Sequence, residues 1–432
     1  MTRTRTLEET FKTSYVAFCI RDRDGNINAM TTEQQYILQI LSAFLRREKC
    51  PAAPPASLDW QAFLKEALAQ GVCAICYFCM DKNAIPEKAR KQWRAAAYYG
   101  IGACFRVMEA HSKVCKLLEE NGVPTVCLKG YASAYYYPRP EYRAMGDVDF
   151  FVEDAYRAKA RELLLANGYE EKDLKRHHDW LYYKHGISYE LHFAISGVPR
   201  GKEGEPFLRA LEGAVRERQW VKSKAGEIVI PSDFHHGLII LLHTASHLLS
   251  GGLGLRHLCD WAAFVNRFDD SEFRRVFQQE FESLRVWRFA QVLTAVCERY
   301  LGSKKNDWTG DVDADAVDKL MDEFLRDGDY DFNREFDQAD WMVSEGFSIR
   351  VGHRSGIGNM MATLRNAVEY HWPRTQKNKV LLFFGMVYSV ARYGVRILTG
   401  KREKLDFAQM SKEAYERRKL YQAFGIEEGI EE

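Results

Sequence analysis

The chain lacks a long uncharged apolar run, a cysteine framework, a leader-like start and a sizeable net charge, and each absence argues against a class of protein. The stretch nearest to a spanning helix, 380–399, carries Arg392 and Arg396 within it and is flanked by Lys377, Lys379, Lys401 and Arg402. Charges in that number oppose insertion across a bilayer. A core or subunit-contact helix with a basic stripe is the favoured reading, and a membrane-surface helix over 380–402 is the alternative. The ten cysteines are scattered, and Cys73, Cys104, Cys115 and Cys297 sit inside apolar helical patterns. That pattern fits buried free thiols in a reducing compartment. Cys73, Cys76 and Cys79 have the spacing of a metal motif, but the run is apolar and no matching Cys or His pair lies near, so they read as core thiols. The start, MTRTRTLEETFKTSY, has basic residues without an apolar stretch after them, and the expected location is cytoplasmic. With 61 Lys and Arg against 60 Asp and Glu, no overall field favours nucleic acid or membrane.

What is present is a chain of 432 residues, 46% apolar and 13% aromatic, long enough for two or three domains. Residues 31 to 121 have helical periodicity. Thr32 is placed to cap a first helix through Leu45, and Asp59 opens a second. A third spans 72–80, Pro86 begins a long helical stretch through Phe105, and a further helix covers 109–121 before Gly122. The character then changes. Val123 to Leu128 reads as a strand, Tyr131 to Tyr137 as a short helix and Val148 to Val152 as a strand. An amphipathic helix over 154–167 follows, then a hairpin of 180–184 and 187–193 turned at His185-Gly186. Beyond Pro231 the pattern is helical again. The expected fold is α+β: a small mixed-sheet core (109–232) between an N-terminal helical region (1–108) and a C-terminal helical domain (233–432).

The chemistry concentrates in Gly146-Asp147-Val148-Asp149, which runs into Phe150-Phe151-Val152. On a strand, residues two apart share a side, so both carboxylates project together and repel. Hard divalent cations with oxygen ligands answer that repulsion, and phosphoryl displacement uses such ions. Glu190, in the later strand Tyr189-Glu190-Leu191-His192, is positioned as a third acid. The tetrapeptide recurs at Gly310-Asp311-Val312-Asp313, but there it leads into helical periodicity, and its aspartates read as an acidic helix cap. His243 and His247 are four apart, after His235 and His236, with Thr244 where a zinc hydrolase has glutamate; packing and a substrate-facing role both remain open. Arg256 and Asp260 read as a helix-surface or interdomain pair. Tyr135, Tyr136 and Tyr137 suit either base stacking or packing.

Leu128-Lys129-Gly130, Arg143, Gly146-Asp147-Val148-Asp149 through Val152, and Tyr189-Glu190-Leu191-His192 resemble the uncharacterised-nucleotidyltransferase family of the polymerase-beta-like superfamily. The likeness runs from about residue 59 to 402, and is strongest over 123–193. The chain departs from the wider superfamily in having Tyr131 after Gly130, and sixteen residues between Gly130 and Asp147. The resemblance implies attack of an acceptor on the α-phosphate of a nucleoside triphosphate, ATP favoured, with release of pyrophosphate. It implies Asp147, Asp149 and Glu190 as catalytic acids holding Mg²⁺, with two ions expected. Lys129, Gly130, Arg143, Gly146 and His192 would surround the nucleotide, the helix start at Tyr131 favouring its phosphates. No basic, aromatic-rich stripe marks an RNA groove, so a small molecule, sugar or protein hydroxyl is favoured as acceptor. The alternatives are a non-catalytic nucleotide-binding sensor or scaffold, and a membrane-surface accessory protein.

Overall fold

Thr31 and Gln34 close a reciprocal cap on α1 (Thr32–Leu45). The Gln34 N–H donates to the Thr31 hydroxyl and the Thr31 N–H to the Gln34 side chain, both at 3.2 Å. The cap is therefore Thr31, one residue before the expected Thr32, because only there are two orphan donors satisfied together. The structure, a computed structural model, describes residues 19–21, 27–48, 53–173, 179–195, 197–198, 204–250, 253–326, 361, 364–365, 368, 372, 375, 378–398 and 419–426. Before α1, β1 (Cys19–Arg21) and β2 (Ile27–Ala29) form a small antiparallel ladder.

Asp59 caps α2 (Trp60–Ala69) as expected, its Oδ1 accepting from the N–H groups of Gln61 and Ala62 at 2.8 and 3.1 Å. In α3 (Cys73–Cys79), Cys73 and Cys76 are buried and form no disulfide. The two helices expected over 86–121 are one, α4 (Glu87–Glu120), roughly 50 Å long at 1.5 Å per residue. It runs straight through 108/109, since Phe105 to Glu109 contain no breaker. Its first half buries Trp93 and Ala97 in the helical core, and its second buries Val107, Val114 and Leu118 beneath the sheet. One rod thus serves both layers.

The sheet comprises β3 (Thr125–Cys127), β4 (Asp147–Val152), β5 (Glu170–Asp173), β6 (Asp179–Lys184) and β7 (Ile187–His192), in the order β3-β4-β7-β6-β5. Only β4 and β7 run parallel; the other neighbours are antiparallel. α5 (Tyr131–Ala134) is a single turn, and α6 (Arg157–Ala166) covers the crossover. The β6–β7 turn places His185 and Gly186 at φ of 50° and 77°, the two positive values that a tight two-residue hairpin requires. β5, all charged (Glu170-Glu171-Lys172-Asp173), had no apolar alternation to announce it; it is an edge strand, where charge discourages further pairing.

After α7 (Glu205–Leu211), β8 (Gln219–Ser223) and β9 (Gly226–Ile230) form a separate hairpin that the sequence pattern did not reveal. Its tip packs on α4. Gly226 adopts φ of 131°, and a β-carbon there would collide with the Ser112 side chain. Gly226→Ala is expected to lower unfolding stability by about 1–3 kcal/mol, read as a shifted urea midpoint; an unchanged midpoint would contradict this docking.

The described residues of the C-terminal half are helical as expected: α8 (Asp233–Ser250), α9 (Leu255–Val265), α10 (Asp270–Phe273), a π turn (Arg274–Gln278), α11 (Gln279–Ser283), α12 (Trp287–Tyr300), α13 (Ala314–Arg326) and α14 (Lys379–Leu398). Asp313 accepts from the Asp315 N–H at 3.2 Å at the start of α13, so the second Gly-Asp-Val-Asp is a helix cap. The fold is α+β, a small mixed sheet with helical regions around it. Among the described residues, no helix is long and apolar enough to cross a membrane.

Candidate active site

Parallel pairing of β4 with β7 sets Asp149 opposite Glu190, Asp147 opposite Ser188 and Phe151 opposite His192. Alternation along the strands does the rest. Val148, Phe150 and Val152, all fully buried, fill the sheet core from one face. Asp147 and Asp149 must then use the other face, which Glu190 and His192 share.

Asp149 is 2% exposed, and its Oδ1 receives the Lys129 ammonium at 3.0 Å and His192 Nε2 at 2.9 Å. His192 Nε2 also lies 3.4 Å from Glu190 Oε2. Asp149, Glu190 and His192 each offer a ligand atom within 4.8 Å of the others. Asp147 stands outside that trio but within reach of its field. The neighbouring Asp149 charge, and then burial, raise the Asp147 carboxyl above the ordinary range. Burial would raise Asp149 too, yet Lys129 and His192 prevail and hold it well below that range. Burial would lower His192, but its bonds to Asp149 and Glu190 raise it, favouring imidazolium. Burial likewise opposes the charge on Lys129, which the fields of Asp149, Asp147 and Glu190 restore. Beside His192, the acids thus have a cation from eighteen positions upstream of Asp147, Lys129, brought in by the β3–β4 ladder.

Lys129 is held there by the backbone. The Leu128 N–H donates to the Asp149 carbonyl at 3.2 Å, and Gly130 turns the chain at φ of 58°. A β-carbon on Gly130 would sit 3.3 Å from His111 Nε2. His111, on α4, is fully enclosed, and burial pulls its pKa down to about 4. The helix that follows is one turn, too short for the macrodipole expected at Tyr131. Around Gly146 a β-carbon would meet nothing within 4 Å, so the approach to Asp147 is open.

Arg143 departs from its expected phosphate-facing role. Its guanidinium is 4% exposed and grips Asp260 with two bonds of 2.7 Å, while Tyr137 donates to the same carboxylate at 2.6 Å. The Arg256–Asp260 pair expected from their spacing is replaced by Arg143–Asp260 as the close ion pair. Arg256 donates to the Ala144 carbonyl at 3.3 Å. Its position in the sequence gave no hint of this, because Arg143 and Asp260 are 117 residues apart. Tyr136 also packs, in T-shaped contact with Phe264.

The histidines divide. His235 bonds Ser232 at 2.7 Å and His236 bonds the Tyr136 hydroxyl at 3.1 Å. His243 and His247 meet at 3.0 Å through their Nε2 atoms, and His257, which the sequence reading passed over, joins them with its ring 4.4 Å from that of His247. Burial, then His247 and Lys129, keep His243 neutral. The trio's donor set is less suited to a cation than three imidazoles suggest. The Gly254 N–H donates to His257 Nδ1 at 3.2 Å, which leaves the proton of the neutral ring on Nε2, and a cation there would displace that proton and break the contact.

Acids from two neighbouring strands on one face of a small mixed sheet, balanced by a lysine just beyond the end of a third, suit phosphoryl transfer. The chain belongs to the uncharacterised nucleotidyltransferase family, whose model matches residues 56–302. Nucleotidyl transfer is accordingly its general role. The resemblance noted over 372–402 lies beyond that match. No curated protein matches the chain.

Proposed function

We propose that the protein moves a nucleoside monophosphate from a nucleoside triphosphate to a hydroxyl-bearing acceptor, releasing pyrophosphate, at the face formed by Asp147, Asp149 and Glu190. The observation that carries this is the pairing of Asp149 with Glu190 on parallel strands, with Asp147 beside them and Lys129 among them. The donors fit Mg²⁺: they are carboxylate oxygens, and the raised Asp147 carboxyl records a repulsion that a divalent ion relieves. When bound, the ion supplies charge neutralisation at the phosphoryl oxygens. Lys129, with its ammonium 3.0 Å from Asp149 Oδ1, is suited to bind the triphosphate. His192 is a positioning residue that aims the Asp149 carboxylate. Gly146 leaves its backbone open to the nucleotide, and Gly130 makes the turn that delivers Lys129. The acceptor side is assigned to the helices α8 and α9, where His243 lies in the field of Lys129.

The test is incubation with α-labelled ATP, GTP, CTP and UTP, Mg²⁺ and host lysate. Label transfer that needs Mg²⁺ and disappears in Asp147→Asn supports the reading. Nucleotide binding without transfer from any of the four would overturn it in favour of a sensor.

A pH dependence follows. Protons compete with divalent ions for a carboxylate, and Asp147 takes its proton at a higher pH than an ordinary aspartate. With the Asp147 carboxyl raised to about 6, Mn²⁺ affinity, followed by calorimetry, should already fall between pH 7.5 and pH 5.5, and by about fourfold across that window. Constant affinity down to pH 5 would exclude Asp147 from the ligand set.

A further inference from the structure

We propose that α14 (Lys379–Leu398) is a docking surface for an anionic lipid membrane, lying on the bilayer and not crossing it. Of the favoured sequence expectation, a core or subunit-contact helix, burial in the chain's own core does not hold for its outer face. Val380, Phe383, Phe384, Val387, Val390 and Val395 are between 50% and 64% exposed. At about 100° per residue these positions share one half of the helix. The helix cannot roll to hide them. Gly385 lies toward its inner side, where a β-carbon would stand 2.5 Å from Val368 Cγ1 and 3.3 Å from the Trp372 ring. Leu382, Met386 and Ser389, on the side away from the apolar half, are partly buried.

Charge decides among the possible occupants. Lys379 and Arg392, both exposed, fall at the two edges of the apolar sector, where long basic side chains can reach a lipid headgroup while apolar neighbours enter the acyl boundary. From His371 to Arg402 the chain has seven Lys and Arg and no Asp or Glu. A second copy of the same face would bring Lys379 and Arg392 against like charges, whereas an anionic lipid surface answers both. At 20 residues, with Arg392 and Arg396 inside it, the helix has the length of a spanning segment without its apolarity.

The experiment is co-sedimentation of the full chain with phosphatidylglycerol–phosphatidylcholine vesicles and with pure phosphatidylcholine vesicles. The expected result is partition onto the anionic vesicles at low salt, release by high salt, and about tenfold or more weaker partition for F383D/F384D. K379E/R392E, which keeps the apolar face, should lose the preference for anionic lipid. Unchanged thermal unfolding and label transfer in both variants would tie the losses to the surface. The proposal is overturned if the chain stays in the supernatant at low salt, or binds both vesicle types equally. It is also overturned if the chain forms a dimer that F383D/F384D dissociates, since the face is then a contact between copies. None of these outcomes touches the assignment of the acids, which label transfer tests separately.

Discussion

Asp147→Asn and Asp149→Asn should both lower nucleotidyl transfer by about 10³-fold or more, the scale of losing one preorganised electrostatic partner, yet move stability in opposite directions. Asp149 has a depressed carboxyl, because Lys129 and His192 hold its charge. An acid of that kind stabilises the fold above its unfolded pKa, and the contribution is lost as pH falls through the folded value. Asp149→Asn is therefore destabilising at pH 8. Asp147 has the contrary sign: its carboxyl is raised by the Asp149 charge and by burial. Its ionised form burdens the native state above the ordinary aspartate range, so Asp147→Asn should gain on the order of 1–2 kcal/mol at pH 8. That gain should vanish below about pH 4, where both states bind the proton. Urea unfolding at the two pH values, run beside label transfer, reads both quantities. Two variants that lose activity and also shift stability in the same direction at pH 8 would refute the charge arrangement described here.

Asp260→Ala should be among the most destabilising single changes in the chain. The Arg143–Asp260 pair is 4% and 5% exposed at its side chains, is bidentate and carries a third bond from Tyr137. Burial favours the neutral acid, but Arg143 outweighs it and keeps Asp260 ionised. Removing the carboxylate strands a guanidinium in a site closed to water, which costs about 3–5 kcal/mol. The pair ties the loop before Asp147 to α9, so the damage should reach the site as well. The unfolding midpoint should fall, and in a double-mutant cycle Asp260→Ala with Arg143→Met should recover most of the loss, because no buried charge is left alone. Additive losses would show that the two side chains act independently. The same change also separates two readings of Arg143. If its part were direct phosphate binding, Arg143→Lys would raise the KM for nucleotide without altering stability.

Much of the site was legible before any coordinates. Lys129, Asp147, Asp149, Glu190 and His192 lie in short stretches whose alternation sets which side each residue takes, and the structure gathers all five on one face. The hairpin at His185-Gly186 and the helix cap at Asp313 were equally local, and both hold. Arg143 was misjudged because its partner comes from a helix over a hundred residues away, which no window of sequence displays. β5 and the β8–β9 hairpin were missed for a related reason: a charged edge strand and a weakly patterned ribbon are strands by virtue of what pairs with them. His257 joins His243 and His247 only through the packing of α9 against α8.

The sequence by itself determined the α+β class, the strand bearing Asp147 and Asp149, and the acidic chemistry they carry, since side-chain period and residue type are properties of a few consecutive residues. Tertiary structure alone decided that Lys129 is the counter-ion of those acids, that Arg143 is a buried strut to Asp260, and that the apolar half of α14 faces outward. Each of these is a meeting, or a failure to meet, between segments far apart in the chain, and the ion pairs and burial that follow are settled by distance in space.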